Sequence, residues 1–324
     1  MQITNLYHTM NYSDIDFTVI IPHRDSIGTL QRLFDSIPVS DKIEVILIDN
    51  SSTPVTHEDI GIKRNYTLLY SEPSRGAGGA RNVGIENAHG KWLLFADADD
   101  FYTKDAFDIF YTQFNSDAEL IYFSMDGIYT DTGERSDRGD QYTQLVKDYL
   151  CGKKTEMDIR LNFSSPCSKM VSHEFVDRHH FRYDEVLASN DVYFSLLTGY
   201  HASKIAAVDK ITYTATVSKG TLTKRRDYDV IYARFIVNLR YNKFVKEHNF
   251  SQYQRSIMFF LFQASRFGIK KMLELIRLLI RYKQNPFIGY KRWSTTYKAC
   301  IKNDRDKNII ILLCCNPNFL NTIF

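Results

Sequence analysis

Residues 74–100, SRGAGGARNVGIENAHGKWLLFADADD, constrain this chain more than any other stretch. Arg75, Gly76, Gly78 and Gly79 form a glycine-rich, basic turn that opens into Ala80-Arg81-Asn82. A short helical pattern follows, with Val83, Ile85 and Ala88 apolar, and Gly90 stops it. Trp92-Leu93-Leu94-Phe95 then reads as a buried strand that ends in Asp97-Ala98-Asp99-Asp100. Three carboxylates crowded at a strand end repel and lift one another's pKa values. A divalent cation removes the conflict, because Mg²⁺ or Mn²⁺ takes oxygen ligands and leaves room for phosphate oxygens. If the backbone stays extended, Asp97 and Asp99 project from the same side. The plainer reading is that Asp99 or Asp100 caps a helix starting near Lys104.

Upstream of this stretch, FTVIIP at 17–22 is a β-branched apolar strand ending at Pro22. Ile27, Leu30, Leu33, Phe34 and Ile37 follow at helical spacings of three and four, and Pro38 ends that pattern. A second buried strand covers 43–48 and runs into Asp49-Asn50-Ser51-Ser52, and a third covers 66–70. Strands separated by helices imply βαβ units and a mostly parallel sheet. Ligands of such sheets bind at the carboxyl ends of the strands. Here those ends are Pro22-His23-Arg24, Asp49-Asn50, Arg75 to Arg81 and Asp97 to Asp100, all polar and none suited to packing. Their convergence predicts a nucleotide site.

The succession of ARNVG, an apolar strand and DADD resembles the core of the inverting glycosyltransferase family 2, whose fold is GT-A. The resemblance covers roughly residues 17–220. It implies an α/β nucleotide-diphospho-sugar transferase fold with a mostly parallel central sheet flanked by helices, here followed by a C-terminal helical extension. It further implies a metal-dependent hexosyltransferase acting on a nucleoside-diphosphate sugar, a UDP-sugar foremost, with Mn²⁺ or Mg²⁺. By that resemblance Pro22 lies in the donor pocket, Asp49 meets the base, Arg81 the nucleotide and Asp97 the ribose, while Asp99 holds the metal. Asn50 stands where the family often has a second aspartate.

Further along, 104–114 reads as a helix and 118–123 as a strand. The polar segment DTGERSDRGDQ at 131–141 has no periodicity and reads as a mobile loop, either an ordinary surface excursion or a lid over the donor. Pro166-Cys167-Ser168-Lys169 and the residues after it resemble the family segment that leads into the acceptor half. Ser189-Asn190-Asp191 starts an amphipathic helix where relatives carry Glu-Asp. The matching Asp191 is the expected catalytic base, and Asn190 replaces the glutamate. Inverting transfer needs one carboxylate to take the proton of the attacking acceptor hydroxyl, whereas the plainer reading is a helix cap. Residues 204–217 read as two short strands. In relatives the segment equivalent to Lys219, Lys224, Arg225 and Arg226 often closes over the donor diphosphate, which implies cations that steady departing phosphate charge; the plainer reading is a solvated basic loop.

Charge divides the chain. From Lys219 to Ile310 there are 21 basic residues against 6 acidic, and the remainder has 20 against 32, although the net charge is only +3. The expected division is therefore a catalytic domain over 1–220 and a basic helical region over 221–324. Within the latter, 256–283 is amphipathic: Met272, Leu273, Ile276, Leu279 and Ile280 share one face, and Lys270, Arg277 and Arg281 another. Such a helix lies on an anionic membrane surface or packs on the catalytic domain. The tail at 308–315 is too short to span a bilayer, and no run reaches the ~18 apolar residues a span needs. Five cysteines without CxxC spacing argue for a reducing compartment and against a zinc site, and the polar N-terminus lacks a signal-peptide core. Together these suggest a cytoplasmic protein, peripheral on the inner face of the cell membrane, acting on a saccharide or lipid-linked acceptor in surface polysaccharide synthesis.

Competing classes fit less well. A nucleotidyltransferase would carry a glycine-rich signature directly after the first strand, and HRDSIGT at 23–29 supplies none. The glycines at 76–84 fail the dinucleotide-binding GxGxxG spacing because Arg81 falls at the last glycine. Basic patches bind nucleic-acid phosphates, but no signature of a nucleic-acid module is present.

Overall fold

The computed structural model describes residues 14–25, 27–218, 227–285 and 287–288. The chain forms two compact units, one up to Thr223 and the other from Lys224. In the first, β1 (Phe17–His23) leads through α1 (Ile27–Asp35) to β2 (Ile43–Asp49), then through α2 (His57–Ile60) to β3 (Thr67–Tyr70). Next come α3 (Gly76–Glu86), β4 (Trp92–Phe95), β5 (Phe101–Tyr102), α4 (Ala106–Thr112) and β6 (Leu120–Tyr129). The unit is completed by α5 (Asp140–Leu150), α6 (Glu156–Asn162), β7 (Lys169–Ser172), α7 (His173–His179), α8 (Asn190–His201) and β8 (Ile205–Val217).

One eight-stranded sheet has the order β3-β2-β1-β4-β7-β6-β8-β5. Its first four strands are parallel, as the βαβ pattern requires. β7 runs against both β4 and β6, and β5 against β8, while β6 and β8 are parallel, so the sheet is mixed but mostly parallel, with six of its eight strands in one direction. All seven residues of β1 are buried, as expected of a strand covered on both faces. Phe17, Val19 and Ile21 pack with Leu30, Leu33 and Phe34 of α1 and with Phe107 and Phe110 of α4. Ile20 turns the other way, into a cluster with Ala80 and Ile85 of α3. The period-two alternation of one strand thus sets helices on both sides of the sheet.

Two sequence expectations change here. Residues 204–217 form one strand, not two. β8 pairs with β6 from Leu120↔Ile205 to Tyr129↔Val217, and register shifts beside Ser124 absorb the polar Asp209-Lys210 step. The glycines after Arg75 also belong to α3, not to a turn before it.

The second unit contains α9 (Tyr228–Glu247), α10 (Met258–Ser265) and α11 (Ile269–Arg281). Gly268, at φ 98° and ψ 162°, breaks the amphipathic stretch 256–283 into two helices; that region of backbone space is essentially closed to other residues. Tyr228, Ile231, Phe235 and Leu239 of α9 cluster with Ala264, Leu275 and Leu279. Among the described residues, no helix is long and apolar enough to cross a membrane. The cations at 219–226 and the tail at 308–315 lie outside the described residues.

Candidate active site

At the ends of β1 and β2, His23 Nδ1 and Asp49 Oδ1 are 3.0 Å apart, and both side chains are buried. Asp49 also accepts the N–H groups of Ser51 at 3.1 Å and Val55 at 2.9 Å. Burial pushes its pKa up, but the bonds from Ser51, Val55 and His23 outweigh that and hold it below the usual carboxylate range. Asp49 is therefore the brace of the 49–55 loop. Asn50 donates to Glu72 O at 2.7 Å, tying the ends of β2 and β3 together. Pro22, beside Ile48 of β2, lies beyond the β1 residues that β4 pairs with, where a missing N–H costs no ladder bond.

α3 is bound tightly to the segment 183–191. A Cβ at Gly78 would stand 2.0 Å from Asp184 O and 3.1 Å from Asn190 Cβ, so only glycine admits this approach. Asn82 exchanges two hydrogen bonds with the Tyr183 backbone, at 3.0 and 2.7 Å. Arg75 forks onto Glu185 at 2.9 and 2.5 Å. The buried Arg81 donates to Asp97 Oδ1 at 2.6 Å and to Asn190 Oδ1 at 2.8 Å, with its guanidinium 5.3 Å over the Tyr183 ring. Burial works against the Arg81 charge, but Asp97 more than offsets it, and the group stays protonated.

The acidic motif does not continue as a strand. The chain turns at Ala98-Asp99, with Asp100 N–H donating to Asp97 O at 3.0 Å. The alternation that would put Asp97 and Asp99 on one side is therefore lost. Asp97 and Asp100 instead converge with Cys167, each offering a ligand atom within 4.8 Å of the others; Asp99 is outside this trio. Asp100 is buried and already engaged, accepting from Tyr213 O–H at 3.0 Å and Thr216 N–H at 2.7 Å. Tyr213 in turn accepts the Asp97 N–H at 2.9 Å. Arg32 and Thr216 donate to Asp99 O at 2.6 and 2.8 Å, fixing the backbone while the Asp99 carboxyl stays partly exposed. Burial, then the charge of Asp97, raises the pKa of Asp99, and burial with both neighbours raises that of Asp100 further. Burial likewise keeps Cys167 a thiol.

Oxygen donors and the partly exposed position of Asp99, whose charge Arg138 and Arg32 offset only in part, suit a hard divalent cation. Asp97 and Asp99 are the members that fit, since Asp100 is committed to β8. Arg138 also faces this motif. Burial lowers its pKa, but Asp100, Asp97 and Asp99 raise it more. Its segment is the 131–141 stretch expected to be mobile, yet Ser136 N–H donates to Gly127 O at 2.8 Å. A Cβ at Gly127 would come within 2.4 Å of Arg138 O, so this part is seated on β6. Nothing in the residue pattern signals Arg138, because an aperiodic polar run does not say where a side chain lands.

Asp191 lies in the first turn of α8, after Ser189 in the left-handed conformation, and the cap position is Ser189 rather than Asp191. Burial raises its pKa, Arg81 opposes this, and Asp97 and Lys169 act in opposite directions. Lys169 is buried; its ammonium donates to Phe163 O at 2.7 Å and Ser195 Oγ at 3.1 Å. Burial pushes it down to about 7, with Asp191 and Cys167 opposing. In the sequence Lys169 stands within a family-like motif that assigns it no role. Arg81 thus brings Asp97 and the start of α8 together, whereas Pro22 and Asp49 belong to the neighbouring strand ends, where Asp49 is joined to His23.

Residues 18–178 match the family model of glycosyl transferase family 2. Poly(ribitol-phosphate) beta-N-acetylglucosaminyltransferase TarS of Staphylococcus aureus is 26% identical over 217 residues, covering 63% of this chain and 36% of the relative. The chain thus spans little more than a third of that relative's length. The putative glycosyltransferase EpsH of Bacillus subtilis is 21% identical over 230 residues, 68% of this chain and 66% of EpsH. Among solved structures, S. aureus TarS 1–349 in complex with UDP-GlcNAc superposes with a TM-score of 0.57 at 18% identity, covering 83% of this chain and 80% of that one. The mannosyltransferase PcManGT from Pyrobaculum calidifontis, in complex with GDP-Man and Mn²⁺, gives 0.54 at 15% identity, covering 90% and 88%. At these identities the likeness establishes a common fold.

Proposed function

This chain is a glycosyltransferase of family 2 with the GT-A fold, and on that premise we propose that it transfers a sugar with inversion from a UDP-sugar to a saccharide or lipid-linked acceptor in polysaccharide assembly. One observation carries the reading: a single buried guanidinium, Arg81, joins the Asp97 end of β4 to Asn190, the residue before Asp191. Donor-side and acceptor-side groups therefore meet at one point. In this reading Arg81 and Asp97 hold the nucleotide, with Pro22 and the loop braced by Asp49 as the wall beside the base. Asp99, next to Asp97, would hold Mn²⁺ or Mg²⁺, which when bound neutralises diphosphate charge. TarS with UDP-GlcNAc and PcManGT with Mn²⁺ support donor class and metal by their likeness.

Asp191 is the proposed base. Its carboxylate takes the proton of the acceptor hydroxyl as that oxygen attacks the anomeric carbon from the face opposite the leaving group. The new C–O bond forms while the bond to the diphosphate breaks, and the nucleoside diphosphate leaves with that electron pair. Arg138, facing the acidic motif, is the fixed cation suited to the charge that develops on the departing phosphate. Residues 1–220 are assigned to catalysis and 221–324 to the acceptor or membrane side, at the cytoplasmic face of the cell membrane.

A thermal-shift panel of nucleotides and nucleotide sugars, with and without Mn²⁺, tests this reading, because a ligand that binds only the folded chain raises its melting temperature. UDP or a UDP-sugar should stabilise the protein only with metal present. Silence toward every nucleotide in the presence of metal would overturn the donor assignment.

A further inference from the structure

The second unit has already buried most of the apolar stripe that could have lain along a membrane, although Ile280 stays half exposed. α11 turns Met272, Leu275, Ile276 and Leu279 inward, and Leu275 and Leu279 close against α9. A different feature remains outside. The turn between α10 and α11 together with the first three residues of α11, Arg266-Phe267-Gly268-Ile269-Lys270-Lys271, is exposed at all six positions. Phe267 keeps 45% and Ile269 58% of its surface in water. Three of the six residues are cationic and none is acidic, and 258–283 as a whole contains six basic residues against Glu274 alone.

The turn is also held in shape. Gly268 supplies its backbone conformation, and Tyr228 of α9 donates to Lys271 O at 3.2 Å. The Lys271 ammonium sits 4.1 Å over the Tyr228 ring, and the Phe267 ring lies 6.0 Å from it. Two exposed apolar side chains beside three cations match a partner with hydrocarbon beneath a layer of negative charge. A nucleic acid would satisfy the cations and leave Ile269 in water. An anionic bilayer satisfies both.

We propose that the α10–α11 turn is a membrane-docking tip. Phe267 and Ile269 enter the acyl region of an anionic leaflet, while Arg266 and Lys270 contact lipid phosphates and Lys271, held by Glu274 and the Tyr228 ring, adds its charge to the attraction. This deepens the membrane side of the functional reading, and its test is independent of donor chemistry.

The experiment is sedimentation of the full chain with phosphatidylcholine vesicles and with vesicles containing phosphatidylglycerol. Pelleting is expected with the anionic vesicles only, and added salt should weaken it. Lys270→Glu with Lys271→Glu, and separately Phe267→Ser with Ile269→Ser, should each lower partitioning by at least about tenfold. Each double variant forfeits a contact to Tyr228 and should melt slightly below the parent, so partitioning is compared at a temperature where every variant is folded. Phe267→Trp keeps the apolar bulk, and its fluorescence should shift to the blue on anionic vesicles and be quenched by brominated acyl chains. Absence of pelleting, pelleting untouched by both double variants, or an unshifted emission from the Phe267→Trp variant would overturn the proposal. So would a dimer in light scattering that Phe267→Ser with Ile269→Ser dissolves, since the occupant would then be a second copy. Vesicle binding and the nucleotide thermal shift fail separately, so neither result stands in for the other.

Discussion

Arg81 and Asp97 are joined by a 2.6 Å hydrogen bond between a guanidinium with 5% of its side chain exposed and a carboxylate with 31% exposed. The second Nη of the same guanidinium holds Asn190 at 2.8 Å. Arg81→Met keeps the length of the side chain and removes both bonds. The expected loss of stability is about 2–3 kcal/mol, below the ~3–5 of a fully buried pair because water reaches Asp97. Nucleotide affinity should fall with it. Chemical denaturation and calorimetric titration with UDP check the two effects, and unchanged UDP affinity would detach Arg81 from the donor.

Asp191 is predicted to act as a carboxylate whose pKa burial has raised. Turnover needs the ionised form, so kcat should fall as pH drops through a value above the ordinary carboxylate range. The positive charge of Lys169 lowers the Asp191 pKa, so Lys169→Met should move that acid limb to higher pH. Asp191→Asn should leave UDP binding intact and reduce kcat by about 10²- to 10⁴-fold. A variant with near-normal kcat would remove Asp191 as the base.

Much of this arrangement is legible in the residues. FTVIIP and WLLF declare buried strands by continuous apolar runs, and their acidic or polar ends mark the carboxyl edge where the site lies. What fails to show is governed by contacts distant in sequence. Gly76, Gly78 and Gly79 read as a turn because glycine weakens helices; in the fold they open α3, and Gly78 is there because Asp184 passes over it. The DADD run reads as an extended ladder of acids, but Tyr213 and Thr216 of β8 draw Asp100 inward and the chain turns. Asn190 reads as a departure from Glu-Asp, and its partner Arg81 lies 109 positions away.

The Gly78 contact yields a sharp test. In Gly78→Ala the new methyl would meet the Asp184 carbonyl at 2.0 Å, a backbone atom that cannot rotate away. α3 or the 183–185 segment must shift, carrying Asn82 and Arg81 with it. We expect destabilisation of at least about 3 kcal/mol, at the upper end of overpacking costs, together with weaker nucleotide binding. Gly28→Ala is the control, because its Cβ would meet nothing within 4 Å. Equal melting temperatures for the two variants would mean that the approach of α3 to Asp184 is looser than described.

Lys169 makes the stability of the whole unit depend on pH in a direction opposite to that of a salt-bridged lysine. Burial pushes its pKa down to about 7, whereas in the unfolded chain it returns to about 10.4. Between those values the unfolded state binds the extra proton. Stability contributed through this residue therefore rises as pH increases from about 7 toward 10 and is lowest where Lys169 is charged in both states. Above that window the buried tyrosines Tyr102, Tyr183 and Tyr213, whose pKa values burial raises, reverse the slope. Lys169→Met removes the titrating group, and methionine fills the space between the Tyr122 and Phe163 rings, which lie 5.5 and 5.0 Å from the ammonium. Its denaturation free energy should be flatter between pH 7 and 10 than that of the parent. The variant should also recover part of the cost of burying a cation, offset by the hydrogen bonds to Phe163 O and Ser195 Oγ that it forfeits. Urea denaturation at half-unit pH steps separates the cases. A parent whose stability stays level or falls between pH 7 and 10, with Lys169→Met tracking it in parallel, would show that Lys169 keeps its proton in the folded chain and that Asp191 compensates its charge fully.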